Sequence, residues 1–290
     1  MHTAVNGSYR SLFVALLIAC APAVRTPGPS APVPATPEQK AEQPSATLSW
    51  SFSYLAGVTS YRVIREAVIQ NQPDSGSVRT GTASNVTHES LTLERIGDTI
   101  HFAIAADTFA TTTKDSTVPV ETPILPVRLA GNWVNNGLMI PTDTVTAGCN
   151  PVESVLASDL HNLLVTFPAP LTRGMAWSDS VRLSGCQGTI PTVANISRVY
   201  TVSGDTIFDG SPVVIVERRD TIQAEGEGAQ QQHQLHLRAV GSGTALYYLD
   251  PGTGRVAQLI TTHEIGVTIT ASGKSHHFRQ SLKQEFVLAH

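Results

Sequence analysis

Alternation of apolar and polar positions dominates the chain after its first 46 residues and predicts antiparallel β-strands. Apolar and hydroxyl side chains alternate in residues 47–54, and the same two-residue period recurs in residues 100–106, 234–239 and 278–288. Because successive side chains of a strand point to opposite faces, each of these segments has one apolar face and one polar face. Residues 213–216 are apolar throughout, which is typical of a strand covered on both faces.

Two motifs predict tight turns between the last strands. Asp-Pro-Gly-Thr-Gly at 250–254 and Ala-Ser-Gly-Lys at 271–274 each separate two alternating segments. Proline and glycine favour the backbone conformations that such turns require. From residue 231 onward we therefore expect an antiparallel meander of four or five strands, the last of which runs to the end of the chain.

One helix interrupts the strand pattern. Asn150 is a favourable N-cap, Pro151 suits the first helical position, and Glu153 places an acid in the first turn. Apolar residues then recur at helical spacing up to about Leu164, so the helix is expected to lie across a sheet. Asp159 falls inside this apolar stripe, where a charge is costly unless it is paired. We expect it to have a structural partner, either an arginine of the sheet or solvent at the edge of the stripe.

The N-terminal segment resembles the signal of a bacterial lipoprotein. An apolar run at 12–19 is too short to span a membrane and ends in Leu-Ile-Ala-Cys at 17–20, which looks like a lipobox. The resemblance implies a signal peptide at 1–19, cleavage before Cys20, acylation of that cysteine and attachment to a membrane. Ala rather than Asp follows Cys20, which implies the outer membrane, facing the periplasm or cell surface. The alternative is an ordinary signal peptide cut near the same position.

A proline-rich linker is expected to follow the lipidated cysteine. Residues 20–46 contain seven prolines among Ala, Thr, Gln and Ser, a composition that cannot bury a core and favours extended conformations. Residues 47–290 then form a β-rich extracytoplasmic domain. Whether its halves, 47–148 and 149–290, are separate domains stays open at this point.

Composition and charge limit the kinds of molecule that the chain is expected to bind. Only 14% of the residues are charged and the net charge is −4 without a basic cluster, which argues against nucleic acid. Two cysteines, Cys149 and Cys186, remain after Cys20. In an oxidising compartment such a pair predicts one disulfide. The alternative, a redox-active or metal-binding pair, lacks C-x-x-C spacing.

Motifs for catalysis are missing from the sequence. It contains no G-x-S-x-G elbow, phosphate-binding loop or H-E-x-x-H motif. His233 and His236 are three residues apart, which places them on opposite faces of a strand, and His233 is expected in the interior because it shares a face with Leu235. Trp177 and the polar residues 178–180 are interpreted as a solvated turn. We therefore predict no enzyme activity, no cofactor and no catalytic or metal-binding residue.

The lipobox, the proline linker, the alternating strands and the single helix together resemble a broad group of bacterial lipoproteins. The segments FPAPLTRGMAW (167–177) and YLDPGTGRV (248–256) are similar to stretches of such proteins. Lipoprotein carriers of the periplasm, their outer-membrane receptors and mycobacterial lipid-carrying lipoproteins belong to this group. The resemblance implies a mainly β fold, a curved antiparallel sheet (open or half-barrel) with one helix packed across it.

Two functions from different classes are compatible with this fold. In the first, the hollow of the sheet binds a lipid or another hydrophobic molecule, although the same apolar positions also suit a closed core. In the second, the chain is a structural or interaction lipoprotein that docks on another component of the cell envelope. The sequence does not single out any ligand-binding residue.

Overall fold

The computed structural model describes residues 48–73, 77–114, 126–134, 137–140, 150–187, 190–230 and 233–289. These residues form thirteen strands and one helix: β1 (Ser49–Trp50), β2 (Gly57–Gln72), β3 (Arg79–Ile96), β4 (Thr99–Lys114), β5 (Val127–Val134), β6 (Gly137–Met139), α1 (Pro151–Leu163), β7 (Leu171–Thr172), β8 (Ala176–Gln187), β9 (Ile190–Phe208), β10 (Ser211–Gln230), β11 (His233–Asp250), β12 (Arg255–Ala271) and β13 (Lys274–Leu288).

Eleven of these strands form one antiparallel sheet. Its order is β6-β5-β4-β3-β2-β13-β12-β11-β10-β9-β8, so two meanders meet where β2 pairs with β13. The sheet curls into an open half-barrel, and α1 packs across it. Strands β1 and β7 form a separate short ladder. The predicted fold class, a mainly β curved sheet crossed by one helix, is confirmed.

The C-terminal meander has fewer and longer strands than predicted. The two turns lie where the motifs placed them, between β11 and β12 and between β12 and β13. The four or five expected strands are however three, because β11 continues through Gly241 and Gly243. A Cβ atom at Gly243 would lie 1.7 Å from Cδ2 of His263 on β12. The glycine therefore makes room for a neighbouring side chain and does not mark a turn.

Helix α1 begins and ends close to its predicted limits. The side chain of Asn150 accepts hydrogen bonds from the backbone N–H groups of Val152 and Glu153. The last carbonyl groups of a helix lack partners within it, and here residues of other segments supply them. Arg198 donates to the carbonyl of His161 at 2.7 Å, and the Tyr54 hydroxyl donates to that of Leu163 at 2.8 Å. The C-terminal half of α1 is thus fixed to the concave face of the sheet.

An apolar core surrounds that half of the helix. Leu156, Leu160 and Leu163 of α1 are buried together with aromatic residues of the sheet. The segment 51–55 crosses this core as irregular backbone, with Phe52 buried in it. The prediction of a strand over 47–54 was therefore right at Ser49–Trp50 and wrong at residues 51–54, where the Tyr54 hydroxyl bonds to the end of the helix and the backbone joins no described ladder.

Candidate functional site

A groove lies between the side of α1 and the part of the concave face that the apolar core does not fill. It encloses a cavity of about 90 Å³ that is partly open to solvent. Ser154, Val155 and Ser158 of the helix form one wall. The floor is mostly apolar and comes from strands β8 to β12, with Leu183, Ile196, Ile222, Leu237, Ile265 and Val267 among its residues. We call this feature the groove.

The cavity in the groove exists because small residues line part of it. Ala194, Ala224 and Ala239 line the groove from neighbouring strands, and Gly185 lines it from β8. Leucine or phenylalanine at these positions would project into the same volume. Apolar residues around them, such as Leu235 and Phe278, form a second buried cluster that contains no helix residue among its described members.

Charged and polar side chains form one end of the groove. Arg65, Asn85, Thr87, Glu89, Asp159 and Gln284 are all buried there and make up what we call the Arg65 cluster. The guanidinium of Arg65 donates from Nη1 to Thr87 Oγ1 at 2.6 Å and from Nη2 to Glu89 Oε1 at 2.7 Å. Nη2 also donates to Asp159, which accepts a second hydrogen bond from the amide of Gln284. The predicted partner of Asp159 on the sheet is therefore Arg65.

Burial has the largest effect on the electrostatics of this cluster. It raises the pKa of Asp159 to about 8; the Arg65 guanidinium opposes this shift, and the charge of Glu89 adds to it. Asp159 therefore holds a proton more readily than an ordinary carboxyl group does. Strong shifts of this kind also occur in structural ion-pair clusters, so they are not by themselves a sign of catalysis.

Gln280 is the most unusual polar residue of the groove. It lies on β13 between Phe278 and Leu282 and is only 2% exposed, yet its side chain lines the cavity. Within the described part of the chain its amide makes no hydrogen bond. Ser158, across the groove on α1, is likewise without a hydrogen bond from its hydroxyl to any described residue. Two neutral hydrogen-bonding groups without a described partner therefore line the groove on opposite sides.

A second buried polar cluster lies beneath the C-terminal half of α1 and outside the groove. It consists of Asn162, Arg218, Asp220, Tyr247 and His263, which we call the Arg218 cluster. Arg218 Nη2 donates to Asp220 Oδ2 at 2.8 Å, and Nε2 of His263 lies 2.6 Å from the same oxygen. Arg218 also donates to the side-chain oxygen of Asn162 at 3.1 Å. The cluster thus fixes the helix to the sheet.

The pKa values of this cluster follow from burial and from Arg218. Although burial raises it, the charge of Arg218 and the hydrogen bond from His263 bring the pKa of Asp220 down to about 2. Burial lowers the pKa of His263, so its imidazole is neutral at physiological pH. Arg218 and Asp220 therefore form the charged pair, and the histidine is its neutral neighbour.

The predicted turn at Trp177 is part of a strand. Residues 176–180 begin β8, where Asp179 accepts two hydrogen bonds from Arg198, each of 2.6 Å. Trp177 stacks on Tyr200 with 4.8 Å between the ring centroids. The interpretation as a solvated turn was wrong, because its short polar side chains alternate with residues that pack on the concave face.

The remaining predicted residues are placed only in part. Cys20 and Cys149 lie outside the described residues, whereas Cys186 is 8% exposed on β8. A Cβ atom at the neighbouring Gly185 would lie 3.6 Å from Cβ of Ser154, so the first turn of α1 approaches this part of β8. The Cys149–Cys186 disulfide stays a prediction.

The histidines do not form a metal site in the described part of the chain. His233 is exposed and bonds to Ser272 at 2.7 Å, so its predicted interior position was wrong. Across the described ranges, no group of three His, Cys, Asp or Glu side chains has the arrangement of a metal site. The described residues contain one helix, α1, which is too short to cross a membrane.

No family model matches the chain, and no curated protein matches it in sequence.

Proposed function

We propose that this chain is a lipoprotein, anchored to the outer membrane through Cys20, that binds a lipid or another hydrophobic molecule in the groove. The observation that carries the proposal is the groove itself, an apolar space closed by α1 on one side and by a polar cluster at one end. Binding sites for small apolar ligands combine such a lining with a few polar groups.

The residues that line the groove support binding over catalysis. Among its described residues the ionisable ones are Arg65 and Asp159, and they bond to each other. Asp159 is further held by Gln284, so both side chains are occupied by contacts within the protein. Shape and apolar surface are sufficient for a carrier, and we propose that the chain is not an enzyme.

Filling the groove is expected to abolish most of the binding. Ala224 lines the groove, whereas Ala229, five residues along β10, is exposed on the opposite face. We expect Ala224→Leu to weaken binding of the apolar dye N-phenyl-1-naphthylamine to the full chain by at least about tenfold, which corresponds to roughly 1.4 kcal/mol. Ala229→Leu should leave the affinity unchanged. Dye fluorescence titration gives both values.

Two outcomes would contradict the binding proposal. One is a wild-type protein that neither binds the dye nor releases an apolar molecule on organic extraction. The other is equal binding by both alanine variants, which would place the dye elsewhere on the surface. Either result favours the interaction lipoprotein, whose partner would then be sought by crosslinking in the envelope.

Anchoring depends on one residue and is tested separately. In cells labelled with a radioactive fatty acid, we expect the wild-type chain and a Cys149→Ser variant to carry the label. Cys20→Ser should lose it and be released from membranes without detergent, because buried acyl chains contribute about 0.8 kcal/mol per methylene to membrane binding. An unlabelled wild-type chain would contradict acylation at Cys20.

A further inference from the structure

We infer that the groove takes an uncharged amphiphile, a single acyl chain ending in an ester, alcohol or amide, in preference to a fatty acid or an acyl amine. This inference rests on the proposed function, since it concerns the ligand of the same groove. It follows from which polar groups at the polar end already have partners and which do not.

A negatively charged head group finds no available cation in the groove. Among the described residues of the lining, Arg65 is the only basic one. Its four Nη hydrogens go to Glu89, Asp159, Asn85 and Thr87. Its Nε has no partner among the described residues, but it is buried away from the accessible space of the groove. A ligand carboxylate would have to displace one of these buried acids or remain unpaired, and both alternatives carry a large desolvation cost.

A positively charged head group would also lack a partner of opposite charge among the described residues of the groove. Asp159 is the only acidic residue among the described residues of the lining. It already accepts hydrogen bonds from Arg65 and from Gln284. Burial and the neighbouring carboxylate of Glu89 favour its protonated form at neutral pH. An ammonium group in the groove would therefore lose its hydration without gaining an anionic partner.

An uncharged head group can bond to the polar side chains of the groove that have no described partner. The amide of Gln280 supplies two N–H donors and a carbonyl acceptor, and no described residue uses them. The Ser158 hydroxyl adds a donor and an acceptor from the opposite wall. A polar group buried without a partner is destabilising, so a ligand ester or hydroxyl that bonds to Gln280 gains from both partners.

The apolar chain of the ligand then has a defined neighbour. Gln280 pairs across the ladder with Ile265 of β12, and Val267 follows on the same face. A head group at Gln280 thus places the first methylenes of its chain over this apolar floor. Ala224 and Ala239 continue the lining beyond this floor, and because the groove is partly open to solvent, the rest of the chain would lie along its open side.

Three ligands with the same chain separate the alternatives. Monolaurin, lauric acid and dodecylamine are each titrated at pH 7 against the apolar dye bound to the full chain. We expect monolaurin to displace the dye at a concentration at least about tenfold lower than either charged ligand. Lauric acid or dodecylamine displacing the dye as well as monolaurin would overturn the inference and leave the binding proposal intact. Absence of dye binding would overturn both.

Variants test the assigned hydrogen-bonding residues. Gln280→Met keeps the length of the side chain and is expected to weaken monolaurin binding about threefold to tenfold more than it weakens dye binding. Ser158→Ala, on the helix, should act in the same direction with a smaller effect. Gln223→Met, on the exposed face of β10, is the control and should change neither. Unchanged monolaurin affinity in both groove variants, or a parallel loss of dye binding in them, would overturn the assignment.

Discussion

Arg65→Met is expected to lower the free energy of unfolding by about 3–5 kcal/mol, the usual cost of removing one partner of a buried ion pair. Arg65 is 2% exposed and holds two acids, Glu89 and Asp159, at the junction of β2, β3 and α1. Methionine fills much of the same volume but leaves both acids without a cation. Urea unfolding followed by circular dichroism at pH 7 measures the loss.

The control lies three residues earlier on the same strand. Arg62 is exposed on the opposite face of β2, and Arg62→Met should change the free energy of unfolding by no more than about 0.5 kcal/mol. Equal stabilities of the two variants would show that the Arg65 cluster does not hold the helix to the sheet. A loss confined to Arg65→Met would support the buried cluster as a polar contact that holds Asp159 of α1 to β2 and β3.

Much of the fold was predictable because its signals are local. The alternation along each strand, the two turn motifs of the last three strands and the N-cap at Asn150 all depend on residues close together in sequence. These signals are sufficient for the mainly antiparallel sheet and for the limits of α1. The way the sheet curls is a property of all eleven strands, and it was anticipated only through the resemblance to other lipoproteins.

The errors arose where a distant contact decides the local structure. The last meander has three strands where four or five were expected, because β11 continues through Gly243, where a Cβ atom would lie 1.7 Å from Cδ2 of His263 on the next strand. Residues 51–55 alternate as a strand would, but the Tyr54 hydroxyl bonds to the end of α1. These contacts join residues that are far apart in the sequence. The local pattern therefore could not show whether Gly243 ends a strand or whether residues 51–55 form one.

The candidate site was predictable only in part. Asp159 stood out as a charge within an apolar stripe, and the expected arginine partner exists. Arg65 and Gln280 carried the equivalent signal, since each occupies an apolar position in the alternation of its strand. That signal identifies unusual residues one at a time. It does not show that β2, β13 and α1 bring them to the same groove, because their meeting depends on the pairing of β2 with β13.

Arg218→Met is also expected to lower the free energy of unfolding by about 3–5 kcal/mol at pH 8. The size of this loss is expected to depend on pH. Without Arg218, the buried carboxylate of Asp220 keeps only His263 as a partner, at 2.6 Å. In the wild-type chain burial lowers the pKa of His263 and the charge of Arg218 lowers it further, while the bond to Asp220 opposes both. Removing Arg218 therefore raises the pKa of His263, and its imidazolium replaces the lost cation as the pH falls.

The sign of this effect follows from proton binding. Native wild-type protein keeps His263 neutral, whereas the unfolded chain takes up a proton below its ordinary pKa of about 6.5, so the wild type loses stability as the pH falls through that value. The native variant binds the proton and avoids this loss. The difference in unfolding free energy should therefore be largest at pH 8 and smaller at pH 6, with exposed Arg219→Met as the control. A difference that is constant between these pH values would mean that His263 does not take over the charge of Arg218.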